Sequence, residues 1–364
     1  MFLGFPNILY YIQGSMYRND LIELINSCDD EMLEQVIRCV ENIQHGDELN
    51  DLFESNVKPR FGKKNSDITL VNSLYNVIVK NVDFSTNDKK AILELISNDG
   101  NLIQSETFKT PLAQGNVDDL ISPQIVNSPL YPMLKQYLLN RTGGKATGKG
   151  ERYLKVFGAT SKSISRKGDI TVEDVCIEVK EGGSTTSSID SGLKENRRNI
   201  DDLNRKLLTG LGLDDEDIIA INSTKAGKVK KGVKLDFSNE LIVKAFKEHK
   251  VNGKRKLNSY FKLLYGYSSN GLNDSEIDEI VDIVYDNLGK SNKEIAKYIL
   301  PYVFKMYKRN KGFDSFIMLN QNGDYIVTNS DELPVEKLQI KDWVLVQGGN
   351  TYTSLPPGYI NISF

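Results

Sequence analysis

The chain has 364 residues, of which 39% are hydrophobic and 26% are charged, and its formal net charge is −3. This length allows about two or three domains with substantial cores, and no stretch approaches the roughly 20 consecutive apolar residues that a membrane-spanning helix needs. Three cysteines without CxxC spacing and two histidines exclude a disulfide scaffold, a zinc ribbon and metal sites built from several histidines.

Residues 1–140 are predicted to form a mainly helical region. The apolar opening has no basic start and no cleavage site, so we do not expect a signal peptide. Apolar residues recur at helical spacing over residues 18–98, and the sequence at residues 85–88 (STND) predicts a helix start. A further helix is predicted over residues 132–140. Residues 141–150 (RTGGKATGKG) form a glycine-rich, basic break, where we place the main domain boundary.

Residues 141–235 are predicted to form a small α/β unit with a mixed sheet, because the apolar pattern changes from helical to alternating. Its predicted elements, in chain order, are a short helix at 151–157, strands at 163–172 and 175–180, an amphipathic helix containing Leu193, Ile200, Leu203 and Leu207, and a buried strand at 217–223.

The remaining chain is predicted to be basic and then helical over residues 236–312, and β-rich over residues 313–364. Asn273 with Glu276, and Ser291 with Glu294, have the spacing of capping boxes that begin two helices. Pro301 is expected to kink or interrupt the second helix.

The candidate catalytic residues lie on a predicted hairpin whose two-residue turn is Glu173-Asp174. Centring the hairpin there pairs Ile170 with Ile177 and Asp169 with Glu178. Strand alternation sends Glu178 and Lys180 to one face and the intervening valine to the other. The expected result is two carboxylates and a lysine on one face of a sheet.

Two opposed carboxylates repel each other, so a bound cation is expected to offset the repulsion. Mg²⁺ typically uses one or two carboxylates, together with water and substrate phosphate. Lys180 would then hold or help to deprotonate the attacking water and stabilise charge on phosphorus. The alternative is a solvent-exposed hairpin with ordinary surface charges.

The arrangement resembles the PD-(D/E)XK nuclease superfamily over residues 148–223. Asp169 matches the first acid of the motif, and Glu178-Val179-Lys180 matches (D/E)-x-K, whereas Gly168 stands where the motif name has proline. The resemblance implies a restriction-endonuclease-like core, a mixed sheet flanked by helices. It also implies Mg²⁺ binding by both acids and the Val179 carbonyl, with Mn²⁺ able to substitute, and catalytic assistance from the lysine.

Many members of this family also have a glutamate on the first core helix, and Glu151 fits that position. It would complete the metal shell or help to hold a second ion. The alternative is that the helix dipole alone favours an acid in this first turn.

Residues 143–150 match the beginning of a phosphate-binding GxxxxGK loop, but Gly150 replaces the Ser/Thr that would reach Mg²⁺. The preceding segment is predicted to be helical, whereas such a loop follows a strand. We therefore expect no binding of nucleoside triphosphates.

The basic charge is concentrated in the middle of the chain. Residues 141–262 contain 26 Lys and Arg against 17 Asp and Glu, a net charge of +9, and the remainder carries −12. This distribution suits binding of a polyanion, although each residue taken singly could be a solvated surface charge. The predicted nucleic-acid contacts are Lys149, Arg197, Arg198, Lys230, Lys231, Lys254, Arg255 and Lys256.

Together these features predict a Mg²⁺-dependent deoxyribonuclease that hydrolyses phosphodiester bonds with a metal-activated water. The alternative is a non-catalytic DNA-binding or viral assembly and packaging protein with a nuclease-like core. An RNA substrate and a homo-oligomer are left open, and no membrane partner is expected. The motif layout resembles both bacteriophage proteins and restriction enzymes. We therefore expect a cytoplasmic location in a bacterium or an infected host cell, with virion association as an alternative.

Overall fold

The computed structural model describes most of the chain: residues 26–27, 29–61, 65–97, 102–140, 148–158, 160–161, 168–181, 187–189, 200–223, 233–266, 270–345 and 358–364. The expectation about a signal peptide lies outside these residues. Within them, helices and a mixed sheet confirm the predicted α/β class. No helix in this part of the chain is long and apolar enough to cross a membrane.

The chain forms two compact units. The first consists of Met1–Gln104 with Asp118–Ser161, and the second of Ser105–Val117 with Lys162–Phe364. The predicted boundary at residues 141–150 falls inside the first unit.

The first unit is mainly helical where it is described, as the apolar spacing predicts. The hydroxyl of Ser85 accepts a hydrogen bond from the amide of Asp88 at 3.2 Å. This bond confirms the predicted helix start. The elements of this unit are α1 (Asp30–Gln44), α2 (Gly46–Asn56), α3 (Asn65–Ile78), α4 (Thr86–Ser97), α5 (Pro123–Val126), α6 (Tyr131–Asn140), α7 (Lys149–Val156) and the short strand β2 (Thr160–Ser161).

The second unit is built on a sheet whose strands come from distant parts of the sequence. Its described strands lie in the order β1, β7, β6, β4, β3. The neighbours β4 and β6 are parallel, and the other pairs are antiparallel. The strands are β1 (Ala113–Asn116), β3 (Ile170–Val172), β4 (Val175–Glu181), β6 (Ser315–Leu319) and β7 (Asp324–Thr328).

A smaller antiparallel sheet and a set of helices complete the second unit. This sheet has the order β5, β9, β8. The remaining elements are β5 (Ser187–Ile189), α8 (Ile200–Gly210), α9 (Asp215–Asn222), α10 (Glu240–Glu248), α11 (Lys250–Tyr265), α12 (Asp274–Asp286), α13 (Asn292–Lys311), β8 (Gln339–Trp343) and β9 (Ile360–Ser363).

Both predicted capping boxes are present. The side chains of Asn273 and Ser291 accept from the amides of Glu276 and Glu294, and each glutamate accepts from the capping residue in return. Pro301 does not interrupt the second helix, because α13 continues through it to Lys311, and the predicted kink stays a prediction.

The prediction of a strand over residues 217–223 is also wrong. Asp214 caps a helix there, its side chain accepting from the amide of Asp217 at 2.9 Å, and α9 carries three acids in its first turn. Such a cap and such charges stabilise a helix N-terminus. The parallel neighbour of β4 is instead β6, from the segment predicted to be β-rich, so the segment 141–235 does not contain the whole sheet.

Candidate active site

The hairpin of β3 and β4 has the register that the sequence predicts. Ile170 pairs with Ile177, and Val172 pairs with Val175 across the turn. The first turn residue, Glu173, has a positive φ of 52°. On its other edge β4 pairs with β6, so Glu178 lies beside Phe316 in the interior of the sheet.

The regular ladder ends with the pair of Ile170 and Ile177. It does not extend to Asp169, the predicted partner of Glu178. Gly168 has a φ of +62°, and a Cβ atom added to it would lie 2.7 Å from the carbonyl oxygen of Ile177. The amide of Asp169 donates to that same oxygen at 2.8 Å. Proline requires φ near −65°, so the glycine that departs from the family motif is a requirement of this backbone.

Asp169 reaches the middle of β4 with its side chain rather than through the ladder. Its Oδ2 atom accepts a hydrogen bond from the amide of Val179 at 3.0 Å. The N–H and C=O of one strand residue point to the same edge, so the Val179 carbonyl faces the edge on which Asp169 lies. Its predicted role as a metal ligand stays a prediction.

Glu178 is buried, with 1% of its surface exposed. Its Oε1 atom lies 3.0 Å from the ammonium of Lys180, as expected for two side chains on one face. The same oxygen accepts a hydrogen bond from the hydroxyl of Tyr307. The other oxygen, Oε2, is buried and has no hydrogen-bond partner among the described residues.

The last two turns of α13 contribute two site residues, Tyr307 and Lys311, that the sequence analysis does not predict. The ammonium groups of Lys180 and Lys311 lie 5.3 Å and 5.6 Å from the centre of the Tyr307 ring. The amide of Gly168 donates to the carbonyl of Lys311 at 3.4 Å. The end of α13 is thereby held against the start of the hairpin.

The electrostatics of the two carboxylates differ. Burial and the charge of Glu178 raise the pKa of Asp169, against the opposing effects of Lys180, the Val179 amide and Lys311. Burial also opposes ionisation of Glu178, but Lys180, Lys311 and the Tyr307 hydroxyl outweigh it and hold the pKa of Glu178 below its usual value. The ammonium groups and the Tyr307 hydroxyl therefore stabilise the charge of Glu178, whereas burial beside Glu178 disfavours the charge of Asp169.

The carboxylates of Asp169 and Glu178 provide oxygen ligands that suit a small hard cation. Glu178 offers a buried oxygen without a hydrogen-bond partner, and Asp169 interacts unfavourably with its charge. In the described part of the chain, three or more His, Cys, Asp or Glu side chains nowhere gather into a metal-binding group. Mg²⁺ commonly takes one or two protein carboxylates and fills its other positions with water and phosphate.

Glu151 and Lys149 lie in the first turn of α7, in the first unit. The Oε2 atom of Glu151 is 3.9 Å from the ammonium of Lys155, one helical turn later. This contact and the helix dipole give Glu151 a local structural role. Its role as a metal ligand or catalytic residue, and that of Lys149 toward DNA, stay predictions.

The other seven predicted nucleic-acid residues fall into three groups. Arg197, Arg198, Lys230 and Lys231 lie outside the described residues. Lys254 is paired with Asp282 at 2.6 Å. Arg255 and Lys256 line a pocket between α8 and α11.

No family model matches this sequence, and neither the curated proteins nor the solved structures contain a match. The geometry of the site therefore provides the basis for a function.

Proposed function

We propose that this chain is a divalent-metal-dependent nuclease that hydrolyses phosphodiester bonds of DNA at Asp169, Glu178 and Lys180. The observation that carries the proposal is the buried, unpartnered Oε2 of Glu178 beside a second carboxylate of raised pKa. A buried anionic oxygen without a hydrogen bond is costly. A cation held between the two acids would remove that cost.

The chain's own residues have separable tasks in this reaction. Asp169 and Glu178 would hold Mg²⁺ or Mn²⁺, which when bound supplies positive charge at the phosphate and lowers the pKa of water. Lys180 is close enough to Glu178 to donate to an attacking water or to a phosphate oxygen. Tyr307 would act as a positioning residue, because its hydroxyl fixes one oxygen of Glu178.

The bond changes are those of simple hydrolysis. A water oxygen adds to phosphorus and loses a proton to a base, and the bond between phosphorus and the leaving sugar oxygen breaks. That oxygen then takes up a proton.

The order of elements supports the resemblance to the PD-(D/E)XK core. Along the chain, helix α7 is followed by the antiparallel strands β3 and β4, then by helices, and then by β6, which is parallel to β4. Here β6 replaces the predicted strand at 217–223.

One observation favours the non-catalytic alternative, a DNA-binding or viral assembly and packaging protein. Glu178 is almost fully buried, and its charge is already offset by Lys180, Lys311 and Tyr307. Such a cluster also serves as a buried ion pair within a structural core. The two functions differ in whether added metal binds and whether DNA is cut.

The test combines cleavage with metal binding. Supercoiled, linear and single-stranded DNA, and RNA, are incubated with the protein in Mg²⁺, in Mn²⁺ and in chelator. Calorimetry measures metal binding independently. We expect metal-dependent cleavage of DNA, and a loss of about 10²-fold or more in Asp169→Asn and in Lys180→Met. Asp169→Asn should also lose metal binding.

Matched controls make the same chemical change away from the site. Asp174→Asn alters an exposed acid in the turn of the same hairpin, and Lys341→Met alters an exposed lysine on β8. Both should cleave like the parent. If the parent protein binds DNA but neither binds metal nor cleaves any substrate, the nuclease proposal fails and the non-catalytic function replaces it. If it also binds no DNA, both functions fail.

A further inference from the structure

A pocket of about 350 Å³ lies between α8 and α11 in the second unit. Its apolar wall is formed by Leu203, Leu207, Leu263 and Tyr260. This volume is at the lower end of the roughly 300–1,000 Å³ range that is usual for small-ligand sites. The pocket suits one compact group with an apolar face.

The wall is held in place by buried hydrogen bonds. The hydroxyl of Tyr260, a residue that is 3% exposed, donates to Oδ1 of Asn204 at 2.8 Å. The side-chain amide of Asn204 donates to the carbonyls of Val233 and Leu345, both at 2.6 Å. Asn204 is itself fully buried. The pocket is therefore preformed, so binding there does not require the wall to be ordered first.

Three cations surround this apolar wall. Lys206, Arg255 and Lys256 line the pocket, and none of its lining residues is acidic. A Cβ atom added to Gly210 would lie 2.9 Å from the Lys256 ammonium, so this glycine leaves room for the lysine beside the end of α8. Within the described residues, no carboxylate forms an ion pair with any of the three. Their charge is therefore available to an anionic ligand.

Neighbouring lysines on the same helix behave differently. Lys254 is paired with Asp282 at 2.6 Å, and Lys262 is paired with Asp274 at 2.9 Å. The three pocket cations thus differ from these two lysines, whose charges are already paired with carboxylates. An apolar wall edged by cations matches the chemistry of a nucleotide, which places a base and sugar next to a phosphate.

We propose that this pocket binds one nucleotide of a single-stranded nucleic acid segment, with phosphate on Lys206, Arg255 and Lys256 and the base against the apolar wall. The proposal rests on the proposed nuclease function, since it names a binding subsite for that substrate away from the hydrolytic residues. Recognition of the nucleotide by the pocket would depend little on the base sequence, because every base has an aromatic face.

The test measures binding of a fluorescent single-stranded oligonucleotide by anisotropy, in chelator and over a range of salt concentrations, so that cleavage plays no part. We expect Lys206→Gln/Lys256→Gln to weaken binding by roughly tenfold or more, and to reduce the slope of log affinity against log salt by up to about 0.7, the value for one phosphate of a single strand. The control Lys244→Gln/Lys262→Gln removes the same charge from lysines that are ion-paired with Glu248 and Asp274, and it should change both quantities far less.

A second variant keeps all charges and fills the pocket. Ser259→Trp places a large ring at an exposed lining position, and it should weaken binding while leaving thermal stability nearly unchanged. Competition then identifies the ligand. Deoxyadenosine monophosphate should displace the oligonucleotide from the parent protein, and inorganic phosphate should do so only at much higher concentration.

Several results would overturn the proposal while leaving the nuclease assignment intact. These are equal binding losses in the pocket and control variants, unchanged binding by Ser259→Trp, or displacement by an acidic peptide but not by the mononucleotide. Failure of the parent protein to bind single strands at all would also overturn it. Absence of cleavage in Mg²⁺, with these binding results as expected, would instead remove only the nuclease function.

Discussion

The hydroxyl of Tyr307 donates a hydrogen bond to Oε1 of Glu178, across 129 residues of sequence. This contact ties the last turns of α13 to the middle of β4. It occupies one oxygen of the carboxylate and leaves Oε2 without a partner among the described residues. The bond thereby decides which oxygen of Glu178 faces a cation.

Tyr307→Phe tests the energetic value of this contact. The substitution removes the hydroxyl but keeps the ring that packs against Phe313. Glu178 would retain Lys180 as its partner while losing a donor in a buried position. We expect the free energy of unfolding, measured by urea denaturation at neutral pH, to fall by about 1.5–3 kcal/mol, as for hydrogen bonds to charged groups.

Tyr302→Phe is the matched control on the same helix. Its hydroxyl donates to Oε2 of Glu279 at 2.6 Å in an exposed position, where water can replace the lost bond. We expect a much smaller loss, within about 0.5 kcal/mol. Similar losses in the two variants would show that the buried contact with Glu178 has no special value.

The Glu178–Lys180 pair should show unequal effects of removing each partner. Lys180→Met leaves the buried carboxylate with less compensation, whereas Glu178→Gln leaves a lysine whose side chain is 23% exposed and reaches water. We expect Lys180→Met to cost about 2 kcal/mol or more and Glu178→Gln to cost less. The double variant should be more stable than Lys180→Met alone. A double variant with simply additive losses in urea denaturation would contradict this account.

Gly168→Ala should damage both the fold and the site. It puts a side chain at φ +62° and a Cβ atom 2.7 Å from the Ile177 carbonyl oxygen, next to Asp169. We expect a loss of more than about 2 kcal/mol in unfolding free energy, together with weaker metal binding. The control is Gly212→Ala, at φ +85°, where the nearest contact is His249 at 3.5 Å. Gly212→Ala adds a side chain at a positive φ but causes no close contact. An equal loss of unfolding free energy in Gly212→Ala would therefore contradict the claim that contact with the Ile177 carbonyl destabilises Gly168→Ala.

The hairpin and its acids could be predicted because their signals are local. Strand alternation on both sides of the Glu173-Asp174 turn determines the register from Val172 to Ile170. The two capping boxes are likewise set by residues three positions apart. In each of these cases the interacting residues are close in sequence.

The rest of the site depends on contacts that no local pattern encodes. Tyr307 and Lys311 lie near the end of a helix in which the sequence predicts no site residue, and β6 pairs with β4 from more than a hundred residues away. The end of the ladder before Asp169 follows from the backbone of Gly168, which alternation cannot reveal. Over residues 217–223 the apolar run suits a strand or a helix equally, and the cap at Asp214 decides.

Glu276 connects the start of α12 to α13. Its side chain accepts from the amide of Asn273 at 2.9 Å and forms ion pairs with Lys305 at 3.2 Å and with Arg309 at 3.4 Å. Burial opposes its ionisation, but these three partners outweigh it and hold the pKa of Glu276 below its usual value of 4.5. The folded protein therefore favours the charged form of this residue more than the unfolded chain does.

Because the pKa of Glu276 is lower in the folded protein, its ionised carboxylate stabilises the fold. This stabilisation is fully present above the unfolded pKa of 4.5 and is lost as the pH falls through the folded pKa. Glu276→Gln should thus lower the unfolding free energy by about 1–2 kcal/mol at neutral pH. The difference from the parent should shrink as pH falls below 4.5. Glu294→Gln, the same change in the exposed capping box of α13, should have a smaller effect at every pH. Urea denaturation from about pH 7 to about pH 3 measures these differences. A loss in Glu276→Gln that stayed constant with pH would assign its effect to packing rather than to charge.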